Sequence, residues 1–123
     1  MTKTILVIDD DITICEIVKT ILEEEGYQVK ILPNGDALEK VLGFIYPDLF
    51  ILDYSMPGKN GAQLAAYLRS RPDTSLKPII MIAANPHYKR PAKKAGVNLF
   101  LNKPFDIYEL INGVKNLLWI KFW

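Results

Sequence analysis

Five short apolar runs alternate along the chain with longer amphipathic stretches, and this alternation constrains the fold more than any other feature. Ile5 to Ile8, Gln28 to Leu32, Leu49 to Leu52, Ile79 to Ile82 and Asn98 to Leu101 read as strands. Most are continuous apolar runs, the pattern of strands covered on both faces. After the first run, Ile14, Ile17, Val18, Ile21 and Leu22 fall on one helical face. Asp11 or Thr13 can cap that helix, Thr13 and Glu16 have capping-box spacing, and Gly26 ends it. A shorter helical pattern runs from Asp36 to Leu42, closed by Gly43 and Pro47. Gly61 to Arg69 puts Leu64, Ala65 and Leu68 on one face, and Asp106 caps a last helix carrying Leu110, Ile111, Val114, Leu117 and Leu118. In NPHYKRPAKKAG, Pro86 and Pro91 limit any helix to a turn or two. Strands alternating with helices and joined by right-handed crossovers give an α/β, doubly wound parallel sheet of five strands.

The chain of 123 residues suits one domain spanning 1–123, large enough to bury a core without covalent staples. Its formal net charge of +1 offers no global basis for binding nucleic acid or a membrane. Lone Cys15 excludes an internal disulfide, fits a reducing compartment and reads as a packing residue. The apolar run of MTKTILVIDDD meets acid too soon for a signal-peptide core or a membrane span, so a cytoplasmic protein is expected. At the other end, Trp119, Phe122 and Trp123 are too apolar for a solvated terminus. They cover the domain's own core, pack in a homodimer, or mark where a longer protein continues.

In doubly wound sheets ligands bind beyond the carboxyl ends of the strands, so the residues just after each strand carry the functional reading. These are Asp9, Asp10 and Asp11 after the first, Asp53 after the third, Ala83, Ala84 and Asn85 after the fourth, and Asn102 and Lys103 after the fifth. Two carboxylates about 4 Å apart repel by roughly 4 kcal/mol at an effective dielectric near 20. Asp9, Asp10, Asp53 and Lys103 together carry a formal charge of about −2, which a hard divalent cation relieves. Mg²⁺ is the expected ion, since it needs few carboxylates and keeps waters that a phosphate can displace. No Cys or His stands at these positions, which argues against zinc. A carboxylate beside a dication and a lysine can act as a nucleophile toward phosphorus.

Over essentially its whole length the sequence resembles the receiver domain of response regulators, the CheY-like phosphoacceptors of two-component signalling. The matching pieces are Asp9-Asp10 after ILVI, Asp53 in DYSMPGKNG with Met56, Pro57 and Gly61, and AGVNLFLNKPF with Gly96, Phe100, Lys103, Pro104 and Phe105. The resemblance implies a flavodoxin-like strand order 2-1-3-4-5, with helices on both faces and, here, a short fourth helix. It makes Asp53 the phosphoacceptor, served by a sensor histidine kinase or a histidine phosphotransfer protein in a phosphorelay. Asp10, Asp53 and the backbone carbonyl of Ser55 would bind Mg²⁺, with Asp9 assisting through water. Lys103 would contact the phosphoryl group, and Pro104 resembles the family's cis-proline, aiming that lysine inward. Ser55 and Asn85 occupy the positions that tune how fast the phosphoryl group is lost. Phe100 holds the aromatic switch position. Such a module is not an enzyme beyond its own phosphorylation and dephosphorylation.

Two departures stand against the family pattern. Ala83 occupies the position where receivers carry Thr or Ser, so the hydroxyl that would bind a phosphoryl oxygen is absent. A hydrogen bond to a charged group is worth roughly 1.5–3 kcal/mol, so its loss weakens the preference for an active conformation. The stretch from Ala83 to Gly96 is also slightly short for the family and holds two prolines. A non-switching adaptor that keeps the fold and the acids is therefore a rival reading. A second rival is a small phosphatase resembling the haloacid dehalogenases, because DDDIT fits Asp-x-Asp-x-Thr with Asp9 as nucleophile and Asp11 as acid/base. It leaves MPGKNG unexplained. The basic run Tyr88, Lys89, Arg90, Lys93 and Lys94 reads as a solvated face, and His87 as an exposed loop residue. No DNA-binding output segment fits within this length, so any output lies in another protein or another segment.

Overall fold

The computed structural model of the chain describes residues 2–119. Its strands are β1 (Thr4–Ile8), β2 (Gln28–Leu32), β3 (Leu49–Asp53), β4 (Ile79–Ala83) and β5 (Leu99–Asn102). Its helices are α1 (Ile12–Glu24), α2 (Leu38–Val41), α3 (Gly61–Ser70), α4 (Lys89–Lys94) and α5 (Ile107–Leu118), with a 3₁₀ turn at Pro86–Tyr88 before α4. All strand pairings are parallel, in the order β2-β1-β3-β4-β5. The order reverses between β1 and β3, the topological switch point where such sheets bind ligands. Ile8 pairs with Leu52 there, so Asp9 and Asp53 follow as neighbours at the same end of the sheet.

Side chains alternate between two apolar layers, as the period-two geometry of a strand requires. Ile5, Val7, Ile51, Ile80, Ile82 and Leu101 pack with Cys15, Val18 and Leu22 of α1 and with Leu110 and Val114 of α5. Leu6, Ile8, Phe50, Leu52 and Ile79 face the other way, against Leu38 of α2 and Leu64, Ala65 and Leu68 of α3. Burying a side chain of the Leu or Ile class contributes about 1.5–3 kcal/mol, so both layers hold the sheet rigid under its polar rim.

Some helix ends match expectation and others depart from it. Asp11 caps α1, its carboxylate accepting from the N–H of Ile14. Thr13 therefore lies inside the first turn and forms no capping box with Glu16. The helix expected from Asp36 to Leu42 is only four residues long. Asn34 accepts from the N–H of Asp36 at 2.9 Å, an Asx turn that competes with helix at that point. α4 is short as expected; Pro91 is its third residue, where a missing N–H costs little. Asn98 falls just outside β5, because its side chain accepts from the N–H of Ile79 at 2.8 Å. Trp119 folds back on the domain, its indole N–H donating to Tyr27 Oη at 3.2 Å with Lys3 Nζ over the ring. Phe122 and Trp123 lie outside the described residues. Among the described residues no helix is long and apolar enough to cross a membrane.

Candidate functional site

The rim at the carboxyl ends of the strands gathers the residues singled out above. One carboxylate oxygen from each of Asp9, Asp10 and Asp53 lies within 4.8 Å of the other two. Asp9 and Asp53 are nearly buried, at 3% and 5% exposure, whereas Asp10 is open to solvent. The Lys103 ammonium reaches across the end of β4 to stand 3.1 Å from Asp53 Oδ1 and 3.7 Å from Asp9 Oδ2. Its backbone N–H donates to the carbonyl of Ala83 at 2.8 Å, which fixes the base of the side chain to β4. The Lys103–Pro104 peptide is cis.

Local structure positions each acid. Asp9 Oδ1 accepts from the N–H of Asp11 at 2.9 Å, and the Asp9 carbonyl accepts from the thiol of Cys15 at 3.3 Å. Burial, reinforced by Asp9 and Asp11, pushes that thiol up to about 11, so it stays protonated and can donate. Asp53 sits at the last position of β3, and the loop behind it returns sharply. Gly58 has φ +79°, a conformation glycine adopts without strain. The N–H of Gly61 donates to Tyr54 at 2.8 Å, and a Cβ on Gly61 would stand 2.6 Å from the Asp53 carbonyl oxygen. Glycine is thus required where α3 starts against the backbone of Asp53. Asn60 caps α3, with Gln63 completing a reciprocal box.

The electrostatics follow from burial. Desolvation raises the Asp9 carboxyl to about 6; its bond from Asp11 and the charge of Lys103 oppose this, while the charge of Asp53 adds to it. Burial alone would lower the Lys103 ammonium, but its hydrogen bond to Asp53 and the charges of Asp9 and Asp53 prevail and hold it above its ordinary value. The cluster is therefore short of positive charge. Its donor set is entirely hard carboxylate oxygen, with one exposed member, which fits a Mg²⁺-like dication and not a soft metal.

Ala83 is 1% exposed at the end of β4, beside the rim, with only a methyl group to offer. Ser55 and Asn85 stand on the loops after β3 and β4, both exposed. Asn85 is engaged in capping, accepting from the N–H of His87 at 2.9 Å. Phe100 is half-buried, pairs in register with Met81, and lines a shallow groove with Lys89, Ala92 and Val97. Asp11 serves as a helix cap and His87 is exposed. Sequence reasoning missed the Cys15–Asp9 bond, the Asn60 capping box and a stack of Tyr54 on Tyr88. The N-x-x-Q spacing at Asn60 was the one available signal.

Comparison with known proteins locates this geometry among others. A family model described as the response regulator receiver domain matches residues 5–115. The phosphate regulon transcriptional regulatory protein PhoB of Rhizobium meliloti is 35% identical over 96% of this chain and 53% of its own length. The transcriptional regulatory protein ResD of Bacillus subtilis is 36% identical over 93% of this chain and 47% of its own. The chain thus spans about half the length of the curated relatives it matches. Among solved structures, a putative response regulator from Chloroflexus aurantiacus superposes with a TM-score of 0.89 at 35% identity, covering 96% of this chain and 98% of the other. The response regulator TrrA from Thermotoga maritima, in complex with Mg²⁺ and BeF, gives 0.84 at 36% identity, covering 95% and 100%.

Proposed function

The chain belongs to the response regulator receiver family, and on that premise we propose that it accepts a phosphoryl group from a phosphohistidine onto the Asp53 carboxylate. The donor is a sensor histidine kinase or a histidine phosphotransfer protein. Attack by an Asp53 oxygen forms an acyl phosphate as the P–N bond breaks, and the electron pair leaves on the imidazole nitrogen. Lys103, already 3.1 Å from Asp53, follows the charge as it moves onto the phosphoryl oxygens. Asp9, Asp10 and Asp53, with the backbone carbonyl of Ser55, would hold Mg²⁺, whose charge offsets that of the incoming phosphoryl group. Asp9, buried and thus disposed to keep its proton near pH 6, becomes a full anion when positive charge arrives beside it.

The observation that carries this reading is the convergence of Lys103 and Asp9 on a nearly buried Asp53, with the solvent-facing Asp10 beside them. The test is labelling by acetyl phosphate. Stoichiometric, Mg²⁺-dependent incorporation that disappears in Asp53→Asn is expected. Incorporation that survives Asp53→Asn, or that maps to Asp9 as the phosphatase reading requires, rejects it.

The adaptor reading draws its support from Ala83, whose buried methyl offers no hydrogen bond to a phosphoryl oxygen. Spectra recorded before and after adding Mg²⁺ with beryllofluoride separate the two. Changes confined to the rim favour the adaptor, and changes reaching Phe100 and α5 favour the switch.

A further inference from the structure

Tyr54 and Tyr88 stack face to face, with ring centroids 3.8 Å apart and planes 13° from parallel. Each ring stands on a fixed piece of backbone. Tyr54 follows Asp53 directly; its N–H donates to the Ile82 carbonyl at 3.0 Å and its carbonyl accepts from Gly61. It is thereby tied to β4 and to the start of α3. Tyr88 ends the 3₁₀ turn, where its N–H donates to the Asn85 carbonyl at 3.1 Å while Asn85 Oδ1 holds His87. Lys89, the next residue, begins α4. The stack therefore joins the segment that carries Asp53 to the segment that starts α4.

The strand alternation puts this link where it can act. Tyr54 continues the face of Phe50 and Leu52, and Ala83 continues the face of Ile79, which is the α2–α3 side of the sheet. Phe100, in register with Met81, faces that same side and lines the groove beside α4 with Lys89, Ala92 and Val97. α4 is six residues long and buries only Ala92, so few contacts hold it against a push at its first turn.

We propose that the Tyr54–Tyr88 stack carries a change of charge at Asp53 to α4, with Tyr88, and not Phe100, as the positioning residue, in place of the hydroxyl that Ala83 lacks. The inference rests on the phosphoacceptor reading and deepens it. Phosphorylation redraws the Asp53–Lys103 contact, Tyr54 moves with its neighbour in the chain, and the stacked ring displaces the turn that leads into α4.

The test uses the full chain, with amide spectra recorded without ligand and with Mg²⁺ plus beryllofluoride, in four forms: wild type, Tyr88→Ala, Tyr88→Phe and Phe100→Ala. Ligand-induced shifts at residues 89–94 are expected in wild type, lost in Tyr88→Ala, and kept in Tyr88→Phe and Phe100→Ala. Without ligand, exchange of the His87 and Tyr88 amides should quicken about two- to tenfold in Tyr88→Ala, the Boltzmann factor of one aromatic pair. If Tyr88→Ala fails to fold, Tyr88→Leu and Tyr54→Leu, which keep apolar volume without the stack, give the same comparison. Undiminished α4 shifts in the unstacked variants, or their loss in Phe100→Ala, overturn the proposal. A wild-type response that stops at Tyr54 overturns it alone, whereas no response at Asp9, Asp10 or Asp53 defeats the phosphoacceptor reading as well.

Discussion

The ammonium of Lys103 stands 3.1 Å from Oδ1 of Asp53, a pair fifty positions apart in sequence that spans β4 at the carboxyl rim. Lys103→Met removes the positive charge facing two nearly buried carboxylates. Truncating one partner of a fully buried pair costs about 3–5 kcal/mol, but the Lys103 side chain is 24% exposed. Solvent screening lowers the expected loss to about 1–3 kcal/mol at pH 7 without divalent ions. Urea unfolding in chelator measures it, and the loss should shrink at pH 5, where Asp9 takes up a proton. An unchanged midpoint at pH 7 would remove the ammonium from the account of the fold.

Asp9 gives the site a pH dependence opposite to that of an ordinary salt-bridged aspartate. Its carboxyl lies at about 6 in the folded protein against 3.8 ordinarily, because burial disfavours the anion. Between those values the folded state holds a proton that the unfolded state has released, so stability falls as pH rises through that window and is level above it. The raised value of Lys103 acts only near and above 10.5 and does not enter here. On the order of 1–3 kcal/mol should be lost between pH 4 and 7 in chelator. Thermal scans across that range should show the decline, Asp9→Asn should flatten it, and Mg²⁺ at pH 7 should restore the stability. A flat wild-type profile would contradict the burial of this carboxyl.

Gly61→Ala tests how closely α3 approaches the backbone of Asp53. The added Cβ would meet the Asp53 carbonyl oxygen at 2.6 Å and the Met81 methyl at 3.0 Å. Backbone cannot yield as a flexible side chain does, so a cost of about 1–3 kcal/mol is expected. Labelling of Asp53 by acetyl phosphate should slow as well, because the backbone that must move is that of Asp53 itself. Normal labelling in a destabilised protein would confine Gly61 to packing.

Arg69 reads in sequence as the polar tail of a helix, yet its guanidinium ties the lower end of the domain together. It donates to the carbonyls of Gly96 at 2.8 Å, Lys77 at 2.6 Å and Ser75 at 3.1 Å, and to Asn98 Oδ1 at 2.9 Å. Lys cannot match the planar fork of five donors. Arg69→Lys should cost about 1.5–3 kcal/mol, the worth of a hydrogen bond to a charged group, read from chemical denaturation. Asp53 labelling should be unchanged.

Arg69 also marks where sequence reading stops. The strands and the rim were legible because continuous apolar runs and abrupt acids are local signals, whereas the strand order came from the family resemblance; register then carries Asp9 to Asp53 once Ile8 pairs with Leu52. Helix ends were less legible. Asn34 settled one boundary by a side-chain hydrogen bond that periodicity does not register, and at α1 such a bond chose Asp11 over Thr13, both candidate caps in the sequence. Contacts such as Arg69 with Gly96 and Tyr54 with Tyr88 depend on loops whose course no pattern in the chain encodes.

Ala83→Thr restores the missing hydroxyl, and its two effects should run in opposite directions. The position is 1% exposed, so two added heavy atoms must displace packed neighbours, costing about 1–3 kcal/mol without ligand. Once beryllofluoride occupies the site, the new hydroxyl can donate to it, a bond worth roughly 1.5–3 kcal/mol that exists only in the liganded state. An interaction confined to one of two states shifts the balance between them by its full value. The variant should therefore melt lower without ligand, gain more on adding Mg²⁺ and beryllofluoride, and show larger shifts toward Phe100 and α4. A ligand-induced gain no larger than that of wild type would mean that the hydroxyl cannot reach the phosphoryl position, and the lack of a switch hydroxyl at Ala83 would then explain nothing.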